Sequence, residues 1–165
     1  MRRLAQALLV CTVLCSGQSK TSATSSKPSP ADWPVYNRDL AGTRYSPLTQ
    51  INTSNVSQLK LAWSYKPSES GARPSPEVTP LVIGGRMYLT AGNRVLALEP
   101  TTGKKIWTYQ VSTGTASQRG VAYWPGDRQN PPRIVFTAGH RLIALNAKTG
   151  KLDPGFGKEV KWTWG

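Results

Sequence analysis

"TAGHRLIALNAKTGK", residues 137–151, restates with small changes what the chain has already spelled at 90–104, "TAGNRVLALEPTTGK". The offset is 47 residues, with Thr90 answering to Thr137, Gly92 to Gly139, Arg94 to Arg141, Ala97 to Ala144 and Gly103 to Gly150. Each copy begins with an apolar, β-rich run (RMYLTAG, RIVFTAG) and passes through a turn into a second run (RVLALE, RLIALN). It then closes on TTGK or KTGK. Alternating apolar and polar residues with glycine at the joints predict two antiparallel strands linked by a tight turn. Asn93 and His140 occupy the same place in that turn, so the one histidine of the chain reads as a turn residue rather than a catalytic base.

Working outward, the first TGK is followed by an aromatic run, KIWTYQ, whose relatives are AWSYK at 62–66 and KWTWG at 161–165. Trp63, Trp107 and Trp162 are therefore equated. The unit that emerges has four short strands and roughly 45 residues, the pattern of a β-propeller blade. The expected fold is all-β: an incomplete propeller of four-stranded blades, about two to three of the roughly four to eight that close such a ring. A blade buries its faces only against neighbouring blades, so the chain reads as the front end of a longer protein.

Composition agrees with this. The chain of 165 residues holds 15 Gly and 13 Pro, a turn-rich mixture. Lys and Arg total 21 against 8 Asp and Glu, a net charge of +13. The basic residues are scattered, with no basic run or basic helix, which reads as a solvated surface and not as a nucleic-acid interface. Residues 1–17 read as a signal peptide: Arg2 and Arg3 precede an apolar stretch too short to span a bilayer, then small residues. Residues 18–31, rich in Ser, Thr, Pro and Lys, read as a flexible linker, leaving 32–165 for the propeller. The expected location is the periplasm or outside. Cys15 offers a lipid-anchored alternative, although Leu14 before it suits lipidation poorly. Both cysteines, Cys11 and Cys15, lie in the leader, so no disulfide or Cys-ligated metal is expected in the mature chain.

The segment ALEPTTGKKIW, Ala97 to Trp107, resembles the tryptophan-docking motif of the pyrroloquinoline-quinone-type propellers. There the Thr-Gly pair makes the turn, the Ala leaves room, and the Trp packs across to the neighbouring blade. The second copy has Pro154 where the Trp should fall, with Trp162 after an insertion as its replacement. Residues 32–65, together with EVTPLVIGGRMYLT and RGVAYWPG, resemble the opening of the quinoprotein glucose and alcohol dehydrogenases. TGKLDPGFG leans toward the membrane glucose dehydrogenase branch, and membrane association is compatible with it.

The resemblance implies oxidation of a sugar or alcohol hydroxyl, with pyrroloquinoline quinone and calcium as cofactors and a respiratory quinone or cytochrome as electron acceptor. Glu77, in PEVTPLV, matches a Glu near the quinone, and Arg119, in QRGVAYW, matches an Arg that contacts the cofactor. A guanidinium suits a ligand with three carboxylates, because it gives forked, charge-assisted hydrogen bonds. Where relatives carry adjacent cysteines, or a His and a Cys, this chain has STGTASQRG, with Thr115 and Gln118 at the glucose-type positions. That puts cofactor stacking by such a route in doubt. The family's catalytic Asp and its calcium ligands belong to later blades, beyond residue 165, so this portion alone is expected to be inactive and to hold neither catalytic residue nor metal. The alternative expectation is a non-enzymatic propeller of the cell envelope that binds proteins as a scaffold. An axial Glu and Arg, for which a scaffold has no use, argue against it.

Overall fold

The computed structural model describes residues 29–66, 77–157 and 161–163, for the last of these the backbone alone. The predicted signal peptide and residues 18–28 of the predicted linker lie outside the described residues.

The repeat folds as its pattern requires. β1 (Leu81–Ile83), β2 (Arg86–Ala91), β3 (Arg94–Leu98) and β4 (Lys105–Gln110) form one four-stranded antiparallel sheet in sequential order. β5 (Ala122–Trp124), β6 (Arg133–Ala138), β7 (Arg141–Asn146) and β8 (Lys161–Thr163) form a second of the same topology. Equivalent strands pair in equivalent register: Thr90 faces Val95 and Thr137 faces Leu142. The chain is a partial propeller, and these sheets are two of its blades. Residues 29–66 precede them as an arm with one 3-10 turn, Val56–Gln58, and a single antiparallel bridge from Trp33 to Val82 of β1.

Side chains alternate across a pleated strand, so each blade offers two faces. Tyr88, Val95, Ala97 and Trp107 of the first sheet pack against Ile134, Phe136, Ile143 and Leu145 of the second. Leu96 and Leu98, on the opposite face of β3, pack with Tyr65 of the arm. Full burial of aliphatic side chains of this size contributes roughly 1.5–3 kcal/mol each. The far face of the second sheet is more open: Thr137 is exposed, whereas its counterpart Thr90 is buried.

An indole joins each unit to the next. Trp107 donates from Nε1 to the carbonyl of Ala147 across the sheet boundary, at 3.1 Å. Trp63 donates to the carbonyl of Pro100, the counterpart of Ala147, at 2.9 Å. Both rings lie flat on the glycine of a TGK turn. A Cβ on Gly103 would come within 2.5 Å of Trp63, and one on Gly150 within 2.6 Å of Trp107. The docking expected of this motif is therefore present twice.

Trp162 departs from expectation. β8 places it opposite Leu142, the counterpart of Val95, and in the first blade Val95 faces Tyr109. Trp162 thus sits at the level of Tyr109, not of Trp107. The insertion is the cause. In the first blade the register shifts at a bulge between Leu98, which pairs with Lys105, and Ala97, which pairs with Trp107. In the second, Leu152 bridges Leu145 as Lys105 does Leu98, residues 154–157 then turn out of the sheet, and the next paired residue among those described is Lys161, opposite Ile143. The excursion is fixed by a buried ion pair, Arg133 Nε to Asp153 Oδ2 at 2.5 Å. Arg133 also stacks over Trp124, 4.7 Å from the ring centroid, and donates to Asn130. The Arg133 hydrogen bond and charge hold the Asp153 carboxyl below its usual range, against the opposing effect of burial.

Candidate functional site

Glu77 and Arg119 lie outside the repeated stretch, and each just precedes the first strand of a sheet. β1 starts opposite Tyr88 and β5 opposite Val135, and both run antiparallel to their partners, so the segments before them lead toward the end of the sheets that carries the Gly92–Asn93 and Gly139–His140 turns. The TGK turns are at the opposite end. The two residues meet: Nη2 of Arg119 lies 3.8 Å from Oε2 of Glu77. Their side chains are 85% and 53% exposed, so the pair contributes little to folding. Its placement needs another reason.

That placement is built by the backbone. Gly120, at φ +99°, presses against the first blade where a Cβ would meet the carbonyl oxygen of Thr79 at 3.0 Å. Only a residue without a side chain brings the segment before β5 so close to the segment before β1. Arg119 adjoins this contact on one side, and Glu77 stands two residues from it on the other.

The loop that delivers Arg119 runs from Val111 to Ser117 and is tied at both ends. Val111 and Ala116 are buried in the inter-sheet core, while Ser112 to Thr115 are exposed. From the first blade, the Asn93 side chain donates to the carbonyl of Val111 at 3.0 Å and accepts from the amide of Ala116 at 3.2 Å. From the second, the Ser117 amide donates to the carbonyl of Thr137 at 2.9 Å, and the Arg141 guanidinium donates to the carbonyl of Thr113. The hydroxyl of Ser117 then accepts from the Arg119 amide. Thr115 and Gln118 are both exposed on this loop.

The sequence picked out Glu77 and Arg119 but passed over Asn93, reading it as a turn residue. The turn is real, with Ala91 opposite Arg94, and the same side chain also clasps the loop. One signal was visible: at this position the repeat exchanges Asn for His, the only other residue type found there. His140 is exposed in its own turn. Trp124 packs under Arg133, at the end of β5 away from Arg119.

An open groove of about 550 Å³ runs between the arm and β1, lined among others by Asp32, Trp33, Tyr36, Arg44 and Thr79. Its polar groups are engaged internally. Asp32 accepts from the amides of Ser29 and Gly84, and Arg44 donates to Asn37 while lying over the Tyr36 ring. No group of three or more His, Cys, Asp or Glu side chains able to hold a metal ion exists among the described residues.

Comparison with known proteins gives this geometry its family. Residues 33–161 match the glucose/ethanol/alcohol dehydrogenase β-propeller domain of the PQQ type. The chain is 43% identical over 134 residues to the dehydrogenase subunit of the quinone alcohol dehydrogenase of Gluconobacter oxydans, covering 74% of this chain and 16% of that protein. It is 36% identical over 157 residues to quinoprotein glucose dehydrogenase A of Acinetobacter calcoaceticus, covering 78% of this chain and 20% of that one. Among solved structures, quinohemoprotein alcohol dehydrogenase from Comamonas testosteroni superimposes with a TM-score of 0.60 at 41% identity, over 73% of this chain and 18% of its own. The chain thus spans about a sixth to a fifth of these relatives. The two docked indoles, the paired sheets and these matches lead to one conclusion: the chain belongs to the PQQ-type glucose and alcohol dehydrogenase β-propeller family.

Proposed function

We propose that this chain is the N-terminal portion of a pyrroloquinoline-quinone-dependent dehydrogenase that oxidises a sugar or alcohol hydroxyl and passes the electrons to a respiratory quinone or cytochrome. The observation that carries the reading is the Glu77–Arg119 pair, held together across two blades by the Gly120 contact. An exposed ion pair that the fold does not need, positioned by a backbone contact that the fold strictly constrains, is a site prepared for a ligand.

The donor set suits that cofactor. Arg119 presents an exposed guanidinium with five N–H donors, Thr115 and Gln118 add exposed polar groups nearby in sequence, and Glu77 orients the cation. A planar polyacid matches this arrangement through forked, charge-assisted hydrogen bonds. When bound, the quinone supplies the two-electron acceptor for hydroxyl oxidation, and the protein supplies position and electrostatics. Calcium, its ligands, the base that takes the hydroxyl proton and the substrate contacts are assigned to later blades of the full-length protein. These residues alone are therefore inactive. Export to the periplasm with removal of residues 1–17 completes the reading.

The test uses the full-length apoprotein, titrated with pyrroloquinoline quinone in the presence of calcium. Arg119→Ala weakens binding by about 1.5–3 kcal/mol, the scale of a lost hydrogen bond to a charged group. The melting temperature of the apo form barely moves, because the side chain is so exposed. Equal cofactor affinity in wild type and Arg119→Ala would remove the residue from the site.

A further inference from the structure

We propose that Asn93 is a positioning residue for Arg119: its carboxamide, in the β2–β3 turn of the first blade, sets where the inter-blade loop delivers the guanidinium. The proposal rests on the reading of Arg119 as a cofactor contact. It adds a residue that the repeat otherwise marks as a plain turn position.

The path between the two residues is continuous. The Asn93 amide donates to Val111 at the loop's start and accepts from Ala116 near its end, so one side chain fixes the span of the exposed stretch between them. Ala116 bridges to Ala138, Ser117 bonds to Thr137, and the Ser117 hydroxyl receives the Arg119 amide. Gly120 then meets Thr79, two residues from Glu77.

The bonds from Thr137 and Arg141 tie the loop to the second blade. Glu77, the partner of Arg119, stands on the first. The Asn93 carboxamide ties the loop back to the first blade, and it does so with a donor and an acceptor at fixed spacing, which a primary amide supplies in one group. Asp keeps the acceptor and loses the donor. Ala loses both. The main-chain carbonyl of Asn93 also accepts from the Gln110 side chain, a bond that lies off this path and provides a control.

The experiment measures the affinity of the full-length apoprotein for pyrroloquinoline quinone with calcium, by quenching of intrinsic fluorescence. Asn93→Ala and Asn93→Asp each weaken binding about tenfold, the effect of one lost hydrogen-bonded constraint. Gln110→Ala binds as wild type does. The double variant Asn93→Ala with Arg119→Ala binds no more weakly than Arg119→Ala alone, because Asn93 acts through Arg119 and the two losses do not add. Should Asn93→Ala fail to fold, Asn93→Asp decides the matter, since Asp retains the turn preference and the acceptor for Ala116.

The outcomes separate the two ideas. Wild-type affinity in Arg119→Ala sinks the cofactor reading, and this proposal with it. Weak binding in Arg119→Ala beside wild-type affinity in both Asn93 variants overturns the positioning role alone. Losses that multiply in the double variant overturn it too, because Asn93 would then act on something other than Arg119.

Discussion

The two blades are built from one repeat, yet they treat the same arginine differently. Arg86 and Arg133 are 47 positions apart and open the equivalent strands β2 and β6. In the second blade Arg133 is clasped by Asp153 and Asn130. In the first, the Nε of Arg86 is buried without a hydrogen-bond partner. The position that answers to Asp153 is Ile106, the bulge residue of β4, which is 44% exposed where Asp153 is 5% exposed. The second blade has turned that position inward, replaced its apolar side chain by a carboxylate and opened the strand into an excursion. Register in the outer strand can be relaxed because β2–β3 and β6–β7 already hold the sheet, provided the departing segment has its own anchor.

The largest test removes what the blades share. Trp107→Ala in the full-length protein deletes a buried indole from the inter-blade core and costs roughly 3–5 kcal/mol in a denaturant midpoint measurement. A loss under about 1 kcal/mol would mean that the blades are held by their sheets and not by the docked ring.

Next comes what the second blade alone possesses. Asp153→Asn lowers stability by roughly 1.5–3 kcal/mol at neutral pH, since it leaves Arg133 buried without its counter-charge. The pH dependence has a definite sign. The Asp153 carboxyl titrates below its ordinary 3.8, with the Arg133 hydrogen bond as the main cause. Its contribution is complete above that value and fades as pH falls toward the depressed one. Wild type and variant should therefore converge in denaturation curves taken below pH 3.8. A gap that persists unchanged there would assign the effect to packing.

The third test asks whether the two docking junctions are equal. Gly103→Ala and Gly150→Ala each place a Cβ into an indole and leave a non-glycine residue at φ near +70°, at a cost of roughly 1–3 kcal/mol. Thermal melts should shift alike for both. A shift for one and not the other would show that Trp63 and Trp107 dock by different means.

The smallest test tries to turn one blade into the other. Ile106→Asp offers Arg86 the partner that Arg133 has and removes an exposed apolar side chain, for a gain of about 0.5–1 kcal/mol. A clear loss in the same melt would show that the excursion, and not the carboxylate alone, is required to bring the charge inside.

The repeat made the architecture legible. Period and strand pattern announced four-stranded sheets, and TGK with tryptophan announced the junctions, because those features answer to local geometry that recurs. Glu77 and Arg119 were legible only through resemblance, since nothing in their own spacing shows that a glycine 43 residues past Glu77 brings the two together. The clasp of Asn93, the Arg133–Asp153 pair and the level of Trp162 stayed hidden for a related reason. Each depends on which residues face one another after an insertion or across a loop, and a sequence carries no record of that register.

The indole lying on glycine sets a thickness. At each junction, arm to first blade and first blade to second, the two units are separated by one flat ring and one backbone with no side chain between them. In a closed ring every such separation becomes an angle, and the angles must sum to a full turn. A methyl group added at one junction would widen that angle, and the surplus would have to be taken up by the other wedges. Glycine in the TGK turn is in this sense a tolerance specification: it holds each sector to the same opening, so that the last blade of a ring meets the first.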